Sequence, residues 1–309
     1  MGRFILRRFI YMLITFWMIV SVTFVLMHNL PGDPFANSEK LTTEQRALLA
    51  KQYGLDQPLS VQYKDYLINV VQGDLGVSFA YPTTKVTDVI KRSFPASAEL
   101  GIESIIFSVL VGLILGITAS LKHNKSWDYT AMFIAIVGVS IPSFVLGPLL
   151  QYLIGVKWGI LPAGLWDGPA NRILPALTLS FMTIAITARM MRTSMLDVIN
   201  SDYIKTARSK GLSQFFVIVK HTLRNAILPV ITILGPIAVN VITGTLVVEQ
   251  IFAVPGLGKY FVQAVYSNDY TLIMGLTIFY SLLLMVVIFL TDIAYGFIDP
   301  RIRLAKGRK

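Results

Sequence analysis

Six long apolar runs constrain this chain more than any other feature of its sequence. Each run contains about twenty or more mostly apolar residues, the length that an α-helix needs to cross the hydrocarbon core of a bilayer. Hydrophobic residues make up 54% of the chain and charged residues 14%, which excludes an ordinary soluble domain. The sequence therefore predicts an all-α integral membrane protein with six transmembrane helices, at residues 9–27, 98–121, 129–156, 173–195, 226–248 and 272–297.

The distribution of basic residues predicts which loops face the cytoplasm. If the N-terminus lies inside, the cytoplasmic segments carry 17 of the 27 Lys and Arg residues and the outer segments carry 10. Since basic residues concentrate in cytoplasmic loops, we expect both termini in the cytoplasm. The net charge of +10 then reflects orientation in the membrane. Nucleic-acid binding is set aside, because the basic residues flank apolar runs and do not form one face with interleaved aromatics.

The segment between the first two runs is too long for a simple connection and contains helix signals of its own. Thr42 and Gln45 form a capping box, and an amphipathic run at residues 61–71 ends at Gly73. We therefore expect a small helical extracytoplasmic subdomain. The predicted domains are an N-terminal transmembrane helix (1–29), this subdomain (30–96), a transmembrane domain (97–297) and a cytoplasmic tail (298–309).

A basic segment, residues 201–229, separates the fourth and fifth runs. Ser201 or Asp202 is expected to cap a helix, Gly211 to permit the left-handed turn that stops it, and Ser213 to begin a second short helix over 214–222. Two short helices along the cytoplasmic surface are therefore predicted. Anchoring on anionic lipid explains the basic charge. It does not explain the glycine break, so we also expect a docking partner on this surface.

Prolines and polar residues inside the apolar runs are candidates for a translocation path, with Pro142, Ser143 and Asn240 foremost. A proline frees backbone groups that neighbouring helices or water must satisfy, which suits helices around a polar path. Ordinary kinks and close helix packing explain the same pattern equally well. Glu99 and Glu103 lie one helical turn apart, and we interpret them as interfacial charges in the first turns of a helix. A cation or substrate site is the alternative interpretation.

Beyond the fifth run, residues 248–258 end in a turn that contains Pro255, Gly256 and Gly258. Such a turn could re-enter the membrane edge, gate the outer mouth of a path, or simply join two helices. The chain has no P-loop, no nucleophile elbow, no HExxH motif and no cysteine, and its three histidines are scattered. We therefore expect no catalytic residues, no cofactor and no metal site.

Several short motifs in one order resemble a known family over essentially the whole chain. They are LPGDP at 30–34, GDLGVS at 73–78, RSFPASAELG at 92–101, SIPSF at 140–144, LPAG at 161–164, ILPAL at 173–177, PGLG ending at Gly258, and IDP at 298–300. The chain is similar to the B-type permease subunits of binding-protein-dependent ABC importers in the oligopeptide, dipeptide and nickel group.

This resemblance implies the type I ABC importer permease fold, in the bacterial cytoplasmic membrane. It also implies a second homologous permease, two ATP-binding subunits and an extracytoplasmic substrate-binding protein as partners. The implied activity is ATP-driven import of oligopeptides, with dipeptides, nickel chelates or glutathione as alternative substrates. A membrane scaffold that merely recruits a cytoplasmic partner is a further alternative. An ion- or proton-coupled carrier is another, although the shortage of acidic residues in the middle of the spans argues against it.

Within the resemblance, the basic segment is similar to the family's cytoplasmic coupling motif, a Glu-Ala-Ala-x-x-x-Gly pattern that docks on the ATPase. Here Lys205 stands in the acidic position, and Thr206, Ala207 and Gly211 follow in order. Ala207 and Gly211 are expected to set the helix shape. The remaining candidate contacts to the ATPase are Lys205, Thr206, Arg208 and Lys210, in coupling helices over 201–225.

Overall fold

The structure is a computed structural model that describes residues 2–29, 44, 51, 54–81 and 83–298. Its helices are α1 (Gly2–Asn29), α2 (Leu59–Gln72), α3 (Val86–Leu121), α4 (Ser126–Ser140), α5 (Ser143–Leu150), α6 (Pro169–Ile199), α7 (Asp202–Ser209), α8 (Gln214–Phe216), α9 (Arg224–Ile251), α10 (Leu257–Tyr266) and α11 (Tyr270–Ile298). Two π-helical segments, Gln151–Lys157 and Val217–Leu223, follow α5 and α8. The predicted capping box and residues 299–309 of the predicted tail lie outside the described residues.

The predicted membrane spans correspond to long apolar helices, with one structural difference. Five described segments are long and apolar enough to cross a membrane: Ile5–Asn29, Val86–Leu121, Pro169–Ile199, Gln214–Gly235 and Tyr270–Ile293. The predicted third span is a pair of helices, Ser126–Ser140 and Ser143–Lys157, bent by 108°. The helix breaks because Pro142 has no N–H and disfavours helical geometry at Ile141, which is extended. Counting the bent pair as one span gives the predicted six.

The chain divides into two compact units, of which the first comprises Met1–Ala96 and Pro255–Phe289. In this unit the start of α3 packs against α10 and α11 around a core of Val86, Val89, Ile90, Leu257, Ala264, Leu272, Ile273 and Leu276. The predicted amphipathic run 61–71 forms α2, and the helix ends at Gly73 as expected, because Gly73 has a φ of +76°. The helix over the run 61–71 and its end at Gly73 are therefore confirmed.

Asp269 joins two distant segments of the first unit. Its side chain is fully buried and precedes α11, where Oδ1 accepts a hydrogen bond from the Leu272 amide at 3.0 Å. The same carboxylate accepts the amides of Phe79 and Ala80, each at 3.1 Å, and the hydroxyl of Ser78. The carboxylate therefore caps α11 and fastens the loop that follows Gly76.

The second unit comprises Ser97–Val254 and Leu290–Lys309, and α6 lies at its centre, packed against α4 and α9. Two glycines allow close approach of neighbouring backbones to α6. A β-carbon added at Gly116 would lie 2.6 Å from the carbonyl oxygen of Ala188, and one added at Gly138 would lie 2.8 Å from that of Phe181. Small residues at such crossings are typical of membrane helix packing, where tight van der Waals contact supplies the stabilisation.

The predicted second short helix, residues 214–222, is not a separate element. It begins as α8, with the Ser213 hydroxyl accepting the amide of Phe216 as expected of a cap. It then passes through the π-helical segment Val217–Leu223 directly into α9, so the chain is helical from residue 214 to 251. Because α9 carries the fifth apolar run, this half of the basic segment extends a membrane helix at its N-terminal end.

Candidate functional site

The helix α7 is the centre of the basic segment, and its ends agree with the sequence analysis. Ser201 occupies the N-cap position in extended geometry, although its hydroxyl donates to the Val198 carbonyl at 2.6 Å and not to the helix. The helix ends at Ser209, and Gly211 follows with a φ of +77°. Residues with a β-carbon rarely adopt this conformation, so the break after α7 depends on glycine.

One face of α7 is packed against the membrane helices of the second unit. Ile204 and Ala207 are buried and form a cluster with Val217, against which Val198 also packs. Val198 belongs to the end of α6, and Val217 leads into α9. Ala207 therefore faces inward and sets the position of α7, in keeping with the predicted role in helix shape, and it does not contribute to the exposed face.

The opposite face of α7 and the turn after it expose the other five predicted coupling residues: Lys205, Thr206, Arg208, Lys210 and Gly211. Lys205 Nζ lies 2.9 Å from Asp202 Oδ1. Both side chains are well exposed, and such a pair stabilises a protein by less than about 1 kcal/mol. Lys205 is therefore free to exchange this partner for another at little cost.

An exposed apolar patch lies beside these charges and was missed in the sequence analysis. It consists of Leu212, Phe215, Phe216 and Val219, and Phe215 has 77% of its surface exposed. Lys220 Nζ lies 4.8 Å from the centre of the Phe216 ring, a cation–π contact. The signal was visible in the sequence, since large apolar side chains directly follow a glycine break in a polar segment.

The break between α4 and α5 holds the candidate path residues Pro142 and Ser143. Both line a cavity of about 170 Å³ in the second unit. The other walls come from α6, including Thr178 and Thr183, and from Val241 of α9. The side chain of Asn240 lies outside the described residues. Pro142 and Ser143 thus line one cavity, together with Val241, the residue that follows Asn240.

The predicted outer turn lies between α9 and α10. Ala253 has a φ of +54°, and Gly256 precedes the first residue of α10 in extended geometry. Pro255 is exposed, whereas Gly256 and Gly258 are buried. The assignment of these three residues to a gate stays a prediction.

Two polar contacts between helices of the second unit were missed in the sequence analysis. Arg172 of α6 pairs with Glu99 of α3 and lies 3.4 Å from Glu103. The interpretation of these glutamates as charges in the first turns of a helix was wrong, because α3 begins at Val86, more than three turns earlier. No local pattern marks Arg172 as their partner, since 73 residues separate it from Glu99.

The second of these contacts joins α4 to the end of α6. The Asp128 carboxylate is buried and accepts two hydrogen bonds from Arg192, at 2.6 and 2.7 Å. It also accepts the Asn124 amide at 3.0 Å and lies 3.1 Å from His123 Nδ1. This bidentate pair holds the broken span against the helix that leads into α7.

Comparison with known proteins identifies the family. The family model described as the inner membrane component of binding-protein-dependent transport systems matches residues 108–304. A second model, for the N-terminal part of a membrane component of these systems, matches residues 1–101.

The chain belongs to this family of transport-system membrane components.

Relatives named as peptide permeases cover almost the whole chain. The dipeptide transport system permease protein DppB of Bacillus subtilis is 46% identical over 307 residues, which is 99% of both chains. The oligopeptide transport system permease protein OppB of Escherichia coli K12 is 40% identical over 305 residues, 98% of this chain and 100% of that protein. The family and the apolar helices make this permease a multi-pass inner membrane protein and a transport component.

Solved structures support the predicted fold. The chain is similar to a subunit of the MetNI methionine ABC transporter in an inward-facing conformation, with a TM-score of 0.58 and 17% identity over 68% of this chain and 96% of that one. A subunit of an amino acid ABC transporter matches with a TM-score of 0.54 and 17% identity, over 68% of this chain and 94% of that one. The type I ABC importer permease fold is therefore confirmed.

Proposed function

We propose that this permease forms one half of the transmembrane path of an ATP-driven peptide importer. The observation that carries the proposal is the near full-length identity, 46% and 40%, to relatives named as dipeptide and oligopeptide permeases. A second homologous permease completes the path, two ATP-binding subunits supply the work, and an extracytoplasmic binding protein delivers the substrate. Both chain termini and α7 then lie in the cytoplasm, and the subdomain before α3 lies outside.

The substrate class of this proposal is oligopeptides, with dipeptides as the second candidate. The overall motif match, including RSFPASAELG at 92–101, favours the oligopeptide branch, whereas the 46% identity to a dipeptide permease favours the dipeptide branch. Affinity in such systems is expected to reside mostly in the separate binding protein. Ligand binding to the co-encoded binding protein, measured with peptides of two to five residues, decides between the two.

We assign α7 the role of coupling helix, and its packing supports this role. Ile204 and Ala207 attach it to the ends of α6 and α9, so a force on its exposed face is transmitted to two membrane helices. The ATPase contact would then combine the basic side chains of α7 with the apolar patch led by Phe215. The Lys at position 205 means that this docking surface uses shape and positive charge, where the family pattern has an acid.

The transport assignment is tested with the assembled complex in proteoliposomes. Peptide-loaded binding protein should stimulate ATP hydrolysis and peptide uptake together, and uptake should persist with a protonophore while ATP is maintained. A complex that holds the ATPase without any peptide-dependent stimulation would favour the scaffold alternative. Uptake that stops with the protonophore at constant ATP would favour an ion-coupled carrier.

The coupling role is tested at Gly211 with a matched pair of variants. Gly211→Val places a β-branched residue at a φ of +77°, which strains or unwinds the end of α7, although no neighbouring atom lies within 4 Å of the new β-carbon. Gly211→Asn is the control, because asparagine tolerates this conformation. We expect the Val variant to insert normally but to retain less ATPase on co-purification, and the Asn variant to resemble the parent. Normal ATPase retention and uptake in Gly211→Val would refute the assignment.

A further inference from the structure

The break in the third span leaves backbone carbonyls without hydrogen-bond donors. Pro142 has no N–H to give to the Gly138 carbonyl four residues earlier. The amides of Val145 and Leu146 both bond to Pro142 and so do not return to α4. Within the described residues, no hydrogen-bond donor reaches the carbonyls of Gly138, Val139, Ser140 and Ile141. Four consecutive acceptors are therefore free.

A helix that begins at the membrane surface and has the length of α4 ends inside the hydrocarbon core. The 15 residues of α4 rise about 22 Å, which is less than the roughly 30 Å thickness of the hydrocarbon core. A carbonyl left without a donor in hydrocarbon costs several kcal/mol, so irregular backbone is tolerated there only beside protein or a water-filled cavity. The free carbonyls must therefore face a polar space during some part of the permease's cycle.

The structure contains a cavity beside the break. Gly138, Val139 and Ile141 line the cavity of about 170 Å³, together with Pro142 and Ser143. The opposite wall includes Thr178 and Thr183. The cavity is roomy enough for several waters but not for a peptide. In the proposed importer, this wall would lie along the path that a second permease completes.

We propose that the carbonyls of residues 138–141 accept hydrogen bonds from the N–H groups of a peptide that passes the break. Every peptide offers amide N–H donors and a terminal ammonium, whatever its side chains. Backbone acceptors suit this task, because they recognise what all peptides share and impose no preference on side chains. This inference rests on the proposed peptide import and adds the atoms that contact the substrate inside the membrane.

The first test replaces a proline at the break. Pro142→Ala restores an N–H that can bond to the Gly138 carbonyl and lengthen α4, which removes an acceptor from the path. Pro148→Ala is the matched control, since Pro148 also lies inside this bent pair but does not line the cavity. We expect Pro142→Ala to lower peptide uptake per ATP hydrolysed at least tenfold, and Pro148→Ala to change it less than twofold. Equal effects of the two variants, or none from Pro142→Ala, would contradict the inference.

The second test does not depend on the backbone change. The chain contains no cysteine, so single cysteines introduced at Ser143 and Phe144 are unique labels. During turnover, a transported peptide should slow thiol labelling at Ser143→Cys at least fivefold. Labelling at Phe144→Cys should not change, because Phe144 is exposed and does not line the cavity.

Failure of the proposed peptide import and failure of the carbonyl contact give different results. If the assembled complex transports no peptide, the proposed function is wrong. If it transports peptide while Ser143→Cys gains no protection, or while Pro142→Ala is normal, peptide import stands and the carbonyl contact is refuted.

Discussion

Replacing Asp269 by alanine removes a buried carboxylate that receives four hydrogen bonds in the first unit. Oδ1 accepts the amides of Phe79 and Leu272, and Oδ2 accepts the amide of Ala80 and the hydroxyl of Ser78. The loop donors lie 189 to 191 positions before Asp269 in the sequence. The variant therefore releases the loop from the start of α11.

The size of the effect follows from which donors can reach water. Phe79 and Ala80 are partly exposed, so their amides can be hydrated at little cost. Ser78 and Leu272 are 0% and 1% exposed, and each would retain a buried donor without its acceptor. An unsatisfied buried group costs about 1–3 kcal/mol, so we expect local opening to become easier by about 2–6 kcal/mol.

The assay uses a cysteine reporter next to the site. Ala264 is buried in the core of the first unit, and its carbonyl accepts the Asp269 amide at 2.9 Å. A maleimide reacts with Ala264→Cys only when this region opens, so the labelling rate follows the opening equilibrium if reclosing is fast. Since 1.4 kcal/mol corresponds to a factor of ten, Asp269→Ala should raise the labelling rate at least about 30-fold.

Two control variants accompany this experiment. Asp269→Asn keeps Oδ1 and its two donors but presents an amide to Ala80 and Ser78, so its effect should be intermediate. Asp65→Ala removes an exposed carboxylate of the same unit and should change the rate less than twofold. A labelling rate that rises less than about threefold in Asp269→Ala would show that these hydrogen bonds do not hold the loop to the start of α11.

Two further predictions concern the second unit. Arg192→Ala leaves the buried Asp128 carboxylate without its bidentate partner, which should destabilise the protein by about 3–5 kcal/mol and lower its thermal unfolding temperature in detergent. Arg192→Lys should recover part of this loss, since lysine keeps the charge but not the fork, and an unchanged unfolding temperature in Arg192→Ala would contradict the pairing. Gly116→Ala places a β-carbon 2.6 Å from the Ala188 carbonyl and should destabilise the protein by about 1–3 kcal/mol. Gly101→Ala in the same helix meets no atom within 4 Å and should be neutral or stabilising, so similar unfolding temperatures for the two variants would argue against close packing of α3 on α6.

Helix identity and helix ends were largely predictable from the sequence. The apolar runs, Gly73 and Gly211 each act through local rules, either the length of an apolar stretch or the backbone conformation that glycine permits. The prediction of helix boundaries failed where two neighbouring segments form one continuous helix. The basic segment shows this, because the polar start of a helix at Gln214 gave no sign that the helix continues through Val217–Leu223 into α9.

The candidate site was predictable in part. The residues of α7 could be placed on a helix, but their division into a buried Ala207 and an exposed remainder depends on Val217 and Val198, which belong to other helices. Pro142 was a plausible break in the sequence. The size of the bend, 108°, and the cavity beside it depend on how α6 and α9 pack against the broken span.

The sequence by itself determined that this protein lies in a membrane, how many apolar segments it has and where glycine or proline interrupts them. Each of these properties depends on residues within one continuous segment of the chain. Only the tertiary structure decided which charged residues pair. Arg172 pairs with Glu99, 73 positions away in the sequence, and Arg192 pairs with Asp128, 64 positions away. The physical reason is that a buried charge needs a partner but the sequence does not state which one, and helix packing selects it.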